Sequence, residues 1–244
     1  LMDSGEVEAV LIATPHYDHP PLVIEALNKG LHAMSEKPAG VYTKQVREMN
    51  EAADKSDKIF GIMFNQRTNC LYRKAKELVD SKEFGELKRV TWIITDWYRP
   101  QSYHDSGSWR STWKTEGGGA LINQNPHQLD LWQWMFGMPD RIFAKVSFGK
   151  YYDIEVEDDV MAYFEYDNGT TGEYITSTGE APGTNRLEVT ADMGKIVIEK
   201  DEMVFYRNVV SEREHNKNNK IPFATPECWK CEIPIWQRGE QHVG

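Results

Sequence analysis

A short apolar run, Leu31-His32-Ala33-Met34, gives way to Ser35-Glu36-Lys37-Pro38. Buried parallel strands read as short apolar runs, and α/β folds place reactive groups just beyond the carboxyl ends of such strands. Lys37 stands where a reactive amine would, on backbone that Pro38 stiffens by restricting the residue before it. A surface lysine at a strand end fits the same residues. The second dense stretch runs from Glu116 through Gly117-Gly118-Gly119 to Asn123, His127 and Asp130. Its glycines permit close backbone approach to a ligand or a neighbouring segment. At about 3.6 residues per turn, His127, Asp130 and Trp134 share one helix face. Asn125-Pro126 reads as an N-cap followed by proline in the first turn, which leaves Asn123 before the regular helix or above a kink. A histidine with a carboxylate three residues on suits general acid/base chemistry. A capping histidine beside a surface aspartate is equally compatible.

The elements that must position these groups change character along the chain. Leu1 to Gly5 read as a helix tail with a glycine stop. Strands are expected at Val7 to Thr14, Leu31 to Met34 and Ile59 to Phe64. Helices are expected between them at Pro20 to Lys29 and Thr43 to Ala53, with Thr43 as N-cap. Alternating strands and helices with short joins imply a parallel sheet with crossovers. Asn69 to Asp80 adds a helix, and beyond Gly85 strands dominate. These are Leu87 to Tyr98, Arg141 to Lys150, Asp159 to Tyr166, Thr170 to Thr178, Arg186 to Thr190, Lys195 to Lys200 and Met203 to Arg207. Asn168-Gly169 between two alternating segments is a hairpin signal. One helix, ending near Phe136-Gly137, interrupts this series. A domain boundary is expected near residue 67. Asn216 to Lys220 reads as an exposed loop, and the acidic run Glu157-Asp158-Asp159 as a solvated strand edge rather than a metal site.

Composition narrows the classes. Asp and Glu number 38 against 28 Lys and Arg, a formal net charge of −10. That balance argues against nucleic-acid and anionic-membrane partners. No apolar run approaches the roughly 20 residues of a membrane helix, and a cytoplasmic location is expected. Three cysteines exclude a disulfide framework. Cys228-Trp229-Lys230-Cys231 lacks the second pair of a zinc site and reads as two unrelated thiols in a loop.

Taken together, Ala13-Thr14-Pro15 with His19, Glu36-Lys37-Pro38, Arg67, Trp109-Arg110 and the glycine triplet followed by His127 and Asp130 resemble the Gfo/Idh/MocA family of nicotinamide-dependent oxidoreductases. The turns at Asn168-Gly169 and Met193-Gly194 are similar too. The resemblance implies an α/β plus α+β chain. Residues 1–67 would be the C-terminal part of a Rossmann domain whose N-terminal strands are missing, and 68–244 a large, mostly antiparallel, open-faced sheet domain for substrate binding and oligomerisation. It implies NAD or NADP as cofactor, a sugar, polyol or glycoside substrate, and a homodimer or homotetramer. By that resemblance Lys37 would position and polarise the substrate hydroxyl and His127 would take its proton, with Asn123 and Asp130 in support. Thr14, Pro15, His19 and Glu36 would line the cofactor with Lys37, and Trp109 and Arg110 would close over it. Trp97, Tyr98 and Tyr103 would stack on a sugar, although sheet and loop aromatics fit the same positions. Many family members have aspartate where this chain has Asn123, so an amide would anchor the substrate here. No G-x-G-x-x-G phosphate fingerprint occurs in the sequence. Two other functions share the fold: a sugar- or dinucleotide-sensing regulator without turnover, and an NAD-dependent enzyme that cleaves glycosides through transient oxidation.

Overall fold

The computed structural model describes residues 1–234, and they divide into two compact units. One gathers Leu1–Asn65, Arg99–His127 and Ser147–Asp158; the other gathers Gln66–Tyr98, Gln128–Val146 and the chain from Asp159 onward. The first change of unit falls at residues 65 and 66, beside the boundary expected near 67, and two later segments return to the first unit.

The first unit is built on three parallel strands, β1 (Ala9–Ile12), β2 (His32–Ser35) and β3 (Phe60–Ile62), in that spatial order. Helices α1 (His19–Asn28) and α2 (Thr43–Lys55) make the crossovers. Pro20 sits in the first turn of α1, where its missing N–H costs nothing. Gly30 ends that helix at φ +74°, a left-handed conformation that favours glycine. The core is Ile12, Val23, Ala26, Leu27, Leu31, Ala33 and Met49, with Phe60 and Ile62 of β3 packed against it. This is the Rossmann-like half. Its strands are shorter than expected, because their outer residues belong to the loops that carry the site. Leu1 to Gly5 form turns rather than a helix tail, with the Ser4 N–H bonded to the Leu1 carbonyl at 3.1 Å. The cap of α2 is Tyr42, and Thr43 is already helical; Tyr42 takes the extended conformation that an N-cap needs.

The second unit carries α3 (Cys70–Asp80), capped by the Asn69 side chain, which accepts the Leu71 N–H at 2.9 Å. Most of an eight-stranded mixed sheet follows: β4 (Leu87–Ile94), β5 (Arg141–Phe148), β6 (Glu157–Glu165), β7 (Thr171–Ser177), β8 (Asn185–Ala191), β9 (Gly194–Glu199), β10 (Glu202–Asn208) and β11 (Cys228–Glu232). The spatial order is β11-β10-β9-β8-β4-β7-β6-β5, and β4 runs parallel to β7 while pairing antiparallel with β8. Helix α4 (Gln101–His104) belongs to the first unit; α5 (Pro126–Phe136) begins at the expected proline, and from Gln128 on it belongs to the second. On α5, Trp132 packs edge-on against Phe164 and donates its indole N–H to the Tyr166 hydroxyl at 2.8 Å. Trp92 and Tyr174 are fully buried in the same unit.

Two expectations for this half are corrected. Cys228 and Cys231 are not in a loop: they lie on β11, whose backbone pairs antiparallel with β10, and both thiols are free. Asn216 to Asn218 belong to a short helix, α6 (Glu212–Asn218), which Ser211 caps by accepting the Glu214 N–H. Among the described residues no helix is long and apolar enough to cross a membrane, and no group of three or more His, Cys, Asp or Glu could hold a metal ion.

Candidate active site

The loops leaving β1 and β2 are tied together by one side chain. His19, in the first turn of α1, lies 2.7 Å through Nδ1 from the Pro38 carbonyl and 2.8 Å through Nε2 from the Thr14 carbonyl. Thr14-Pro15 and Glu36-Lys37-Pro38 are thereby held beside one another at the carboxyl ends of parallel strands, the usual ligand position in such sheets. Pro15 opens a short 3-10 turn, His16–Asp18, and His16 from that turn lies 2.9 Å through Nδ1 from the Glu116 carbonyl. Burial pushes the His16 imidazole down to about 4, against the hydrogen bond to Glu116, which raises it.

This shift has a sign. The folded pKa lies below the unfolded one, so the unfolded chain binds more protons as pH falls through the interval from 6.5 to 4. His16 should therefore cost stability over that interval, on the order of 2 kcal/mol. Urea unfolding at pH 7 and pH 4.5 should show His16→Gln losing less stability than the parent on acidification. An equal loss in both would contradict this.

Lys37 is partly buried, and its ammonium donates to the Asn123 carbonyl at 2.7 Å, with the Asn123 Oδ1 at 3.5 Å. Burial moves the lysine below its ordinary pKa; Glu36 and Glu116 oppose that shift, and Arg110 and Arg99 reinforce it. Glu36 also accepts the Lys37 backbone N–H at 3.2 Å. A desolvated lysine at a strand end suits polarisation of a substrate oxygen.

Asn123 lies before α5, at the end of the glycine loop. The loop is gripped by Glu157. Its carboxylate accepts the backbone N–H groups of Gly119 and Leu121, both at 2.9 Å, and its carbonyl accepts that of Ala120 at 2.8 Å. A Cβ on Gly117, at φ +87°, would sit 2.3 Å from the Val41 side chain. The expectation of a solvated acidic edge is thus overturned: Glu157 is 5% exposed and Asp158 is fully buried. Asp158 accepts the N–H groups of Lys150 at 3.0 Å and Tyr151 at 2.7 Å. Buried carboxylates are retained where backbone donors replace water.

A cationic and aromatic group stands in the same unit. The Arg110 guanidinium lies 4.4 Å above the Tyr103 ring and 4.5 Å above the Trp109 ring, and donates to the Tyr103 hydroxyl at 2.6 Å. Arg99 covers Tyr103 at 5.0 Å, and Trp109 meets His16 edge-on with centroids 5.5 Å apart. Gln124 donates to the Tyr103 hydroxyl at 3.2 Å. His127, in the first turn of α5, meets Phe64 edge-on at 6.1 Å. The strand-end loops thus carry Thr14, His16 and the Lys37 ammonium, with Trp109 packed against the His16 ring. That set fits the ribose and ring of a nicotinamide cofactor.

Every expected site residue except Trp97, Tyr98 and Asp130 therefore belongs to the first unit. Tyr98 is exposed and belongs to the second unit. Asp130, also in the second unit, accepts both Arg67 nitrogens, Nε at 2.7 Å and Nη2 at 2.6 Å. Two groups of the site were not among the expected residues. His16 could have been marked by its place beside Thr14-Pro15, and Glu116 by its place before three glycines.

Residues 1–64 match the model for an oxidoreductase family with an NAD-binding Rossmann fold, and residues 72–197 match the model for the GFO/IDH/MocA C-terminal domain. Among curated relatives, scyllo-inositol 2-dehydrogenase (NAD(+)) of Bacillus subtilis is 26% identical over 206 residues, covering 81% of this chain and 56% of that protein. Levoglucosan dehydrogenase of Pseudarthrobacter phenanthrenivorans is 24% identical over 224 residues, covering 81% and 56%. The crystal structure of the WlbA dehydrogenase from Bordetella pertussis, in complex with NADH and UDP-GlcNAcA, aligns with a TM-score of 0.76 at 27% identity, covering 81% of this chain and 57% of that one. The chain spans about half the length of the curated relatives it matches.

Proposed function

The chain belongs to the Gfo/Idh/MocA family of oxidoreductases, an NAD-binding family with sugar and polyol dehydrogenases among its members, and we propose that it oxidises or reduces a carbinol carbon of a sugar, polyol or glycoside with NAD or NADP. The observation that carries this reading is Lys37, a partly buried ammonium at the end of β2, hydrogen-bonded to the residue that ends the glycine loop. Lys37 donates a hydrogen bond to the substrate's carbinol oxygen and polarises it. His127 accepts the proton from that oxygen, and the Asn123 amide anchors a neighbouring hydroxyl. Asp130 supplies a carboxylate that Arg67 holds in place through a bidentate pair. Thr14, Pro15, His19 and Glu36 line the cofactor, and Trp109 and Arg110 close over it. When bound, the nicotinamide exchanges hydride with the carbinol carbon. Tyr103 and Tyr98 offer rings for a sugar face.

In the same reading residues 1–67 belong to the dinucleotide-binding domain, and the chain from 68 on is the substrate and oligomerisation domain. Exposed apolar side chains on β5 and β6, among them Phe143 at 78% and Met161 at 60%, support assembly as a homodimer or homotetramer through the sheet's open face. The protein works in the cytoplasm. Absorbance at 340 nm, followed with NAD or NADP over a panel of inositols, aldoses, uronic acids and glycosides, tests the function. Turnover with at least one member is expected; no turnover with any, and no nicotinamide binding, would refute it.

A further inference from the structure

Glu116 is 3% exposed, an acid kept in the interior of the first unit directly before the glycine loop. Both carboxylate oxygens are engaged: Oε2 accepts the Ser111 N–H, and Oε1 accepts the side-chain amide N–H of Asn123. An amide that turns its nitrogen to Glu116 must turn its oxygen away, and Asn123 Oδ1 faces the Lys37 ammonium at 3.5 Å. The flipped amide would set NH₂ against an ammonium and oxygen against a carboxylate, two repulsive contacts in a desolvated place. The order carboxylate, amide, ammonium is therefore fixed from the Glu116 end.

We propose that Glu116 is a positioning residue for Lys37: acting through the Asn123 amide, it aims the lysine and sets a buried negative charge behind it. The role rests on Lys37 being the residue that meets the substrate oxygen. Lys37 faces Glu36 and Glu116 among acids, and Arg99 and Arg110 among cations. Glu116 itself faces Arg110 and Glu157, and His16 reaches its carbonyl rather than its carboxylate. Replacing Glu116 with glutamine leaves the two guanidinium groups in place and withdraws a negative charge. The lysine then loses its proton more readily.

The test follows the ¹³Cε chemical shift of Lys37 against pH in the ligand-free chain, the signal being assigned by its loss in Lys37→Arg. In Glu116→Gln the midpoint should fall by roughly one pH unit. In Glu116→Gln/Asn123→Asp the carboxylate has moved one link along the chain, and the midpoint should return to the parent value or above it. A purely structural role for Glu116 predicts no such return. Asn123→Asp with and without Glu116→Gln reads the same charge in a second background, should the single glutamine variant fail to fold. An unchanged midpoint on removing Glu116 in either background would overturn the proposal and leave the dehydrogenase reading standing. A lysine that responds as expected, in a protein that transfers no hydride, would do the reverse.

Discussion

Replacement of Lys37 by methionine is expected to lower kcat/KM roughly 10³-fold while leaving the chain folded, since a charged donor aimed at a reacting oxygen contributes on that scale. Methionine keeps the length of the side chain and removes only the ammonium. The stability cost is chiefly that of the Asn123 carbonyl, which loses its donor at 2.7 Å, about 1 kcal/mol. Steady-state kinetics on the best substrate, with urea unfolding alongside, would separate the two quantities. A variant within about tenfold of the parent would mean that Lys37 is a strand-end lysine and no more.

The second large effect is on stability. Alanine at Gly119 would put a Cβ 2.1 Å from the Glu157 carbonyl oxygen and 3.0 Å from the Glu157 backbone nitrogen and carbonyl carbon. None of these is the far end of a flexible side chain. The same stretch of β6 is stitched to the loop through the N–H groups of Gly119, Ala120 and Leu121, so neither partner can withdraw without breaking those bonds. Gly119→Ala should cost about 4 kcal/mol or more, in the range of severe overpacking. Gly169 makes the comparison: its Cβ would meet nothing within 4 Å, and its φ of +89° carries only the left-handed penalty of about 1–2 kcal/mol. Urea midpoints for the two alanine variants should differ accordingly. Equal values would show that the glycine loop is not held against Glu157.

The contrast between those glycines shows what the sequence makes legible and what it hides. Asn168-Gly169 carries its meaning locally, and the turn between β6 and β7 lies where the dipeptide puts it, with Thr170 N–H bonded to Asn168 Oδ1 at 3.0 Å. The alternation that defines the Rossmann-like half is local too, as is the proline that opens α5. Lys37 could be singled out because its neighbours on either side, an apolar run and a proline, fix its place at a strand end. Glu157 could not. An acidic run reads as solvated unless its partners are known, and here the partners are backbone N–H groups 36 and 38 residues away. His16 meets Glu116 across 100 residues for the same reason. A strand like β11, short and bearing two cysteines, offers no apolar alternation to announce it. Local signals placed Lys37 at a strand end; the buried acids that hold its surroundings were visible only in three dimensions.

The most direct test of the central claim is isotope transfer. A polyol substrate deuterated at its carbinol carbon is incubated with the protein and NAD or NADP, and the recovered nicotinamide is examined by mass spectrometry. Hydride transfer predicts one deuterium in the reduced cofactor, formed in step with oxidised product and lost in Lys37→Met. Reduced cofactor without deuterium, or tight binding of sugar and cofactor with no label transferred under any condition, would contradict it.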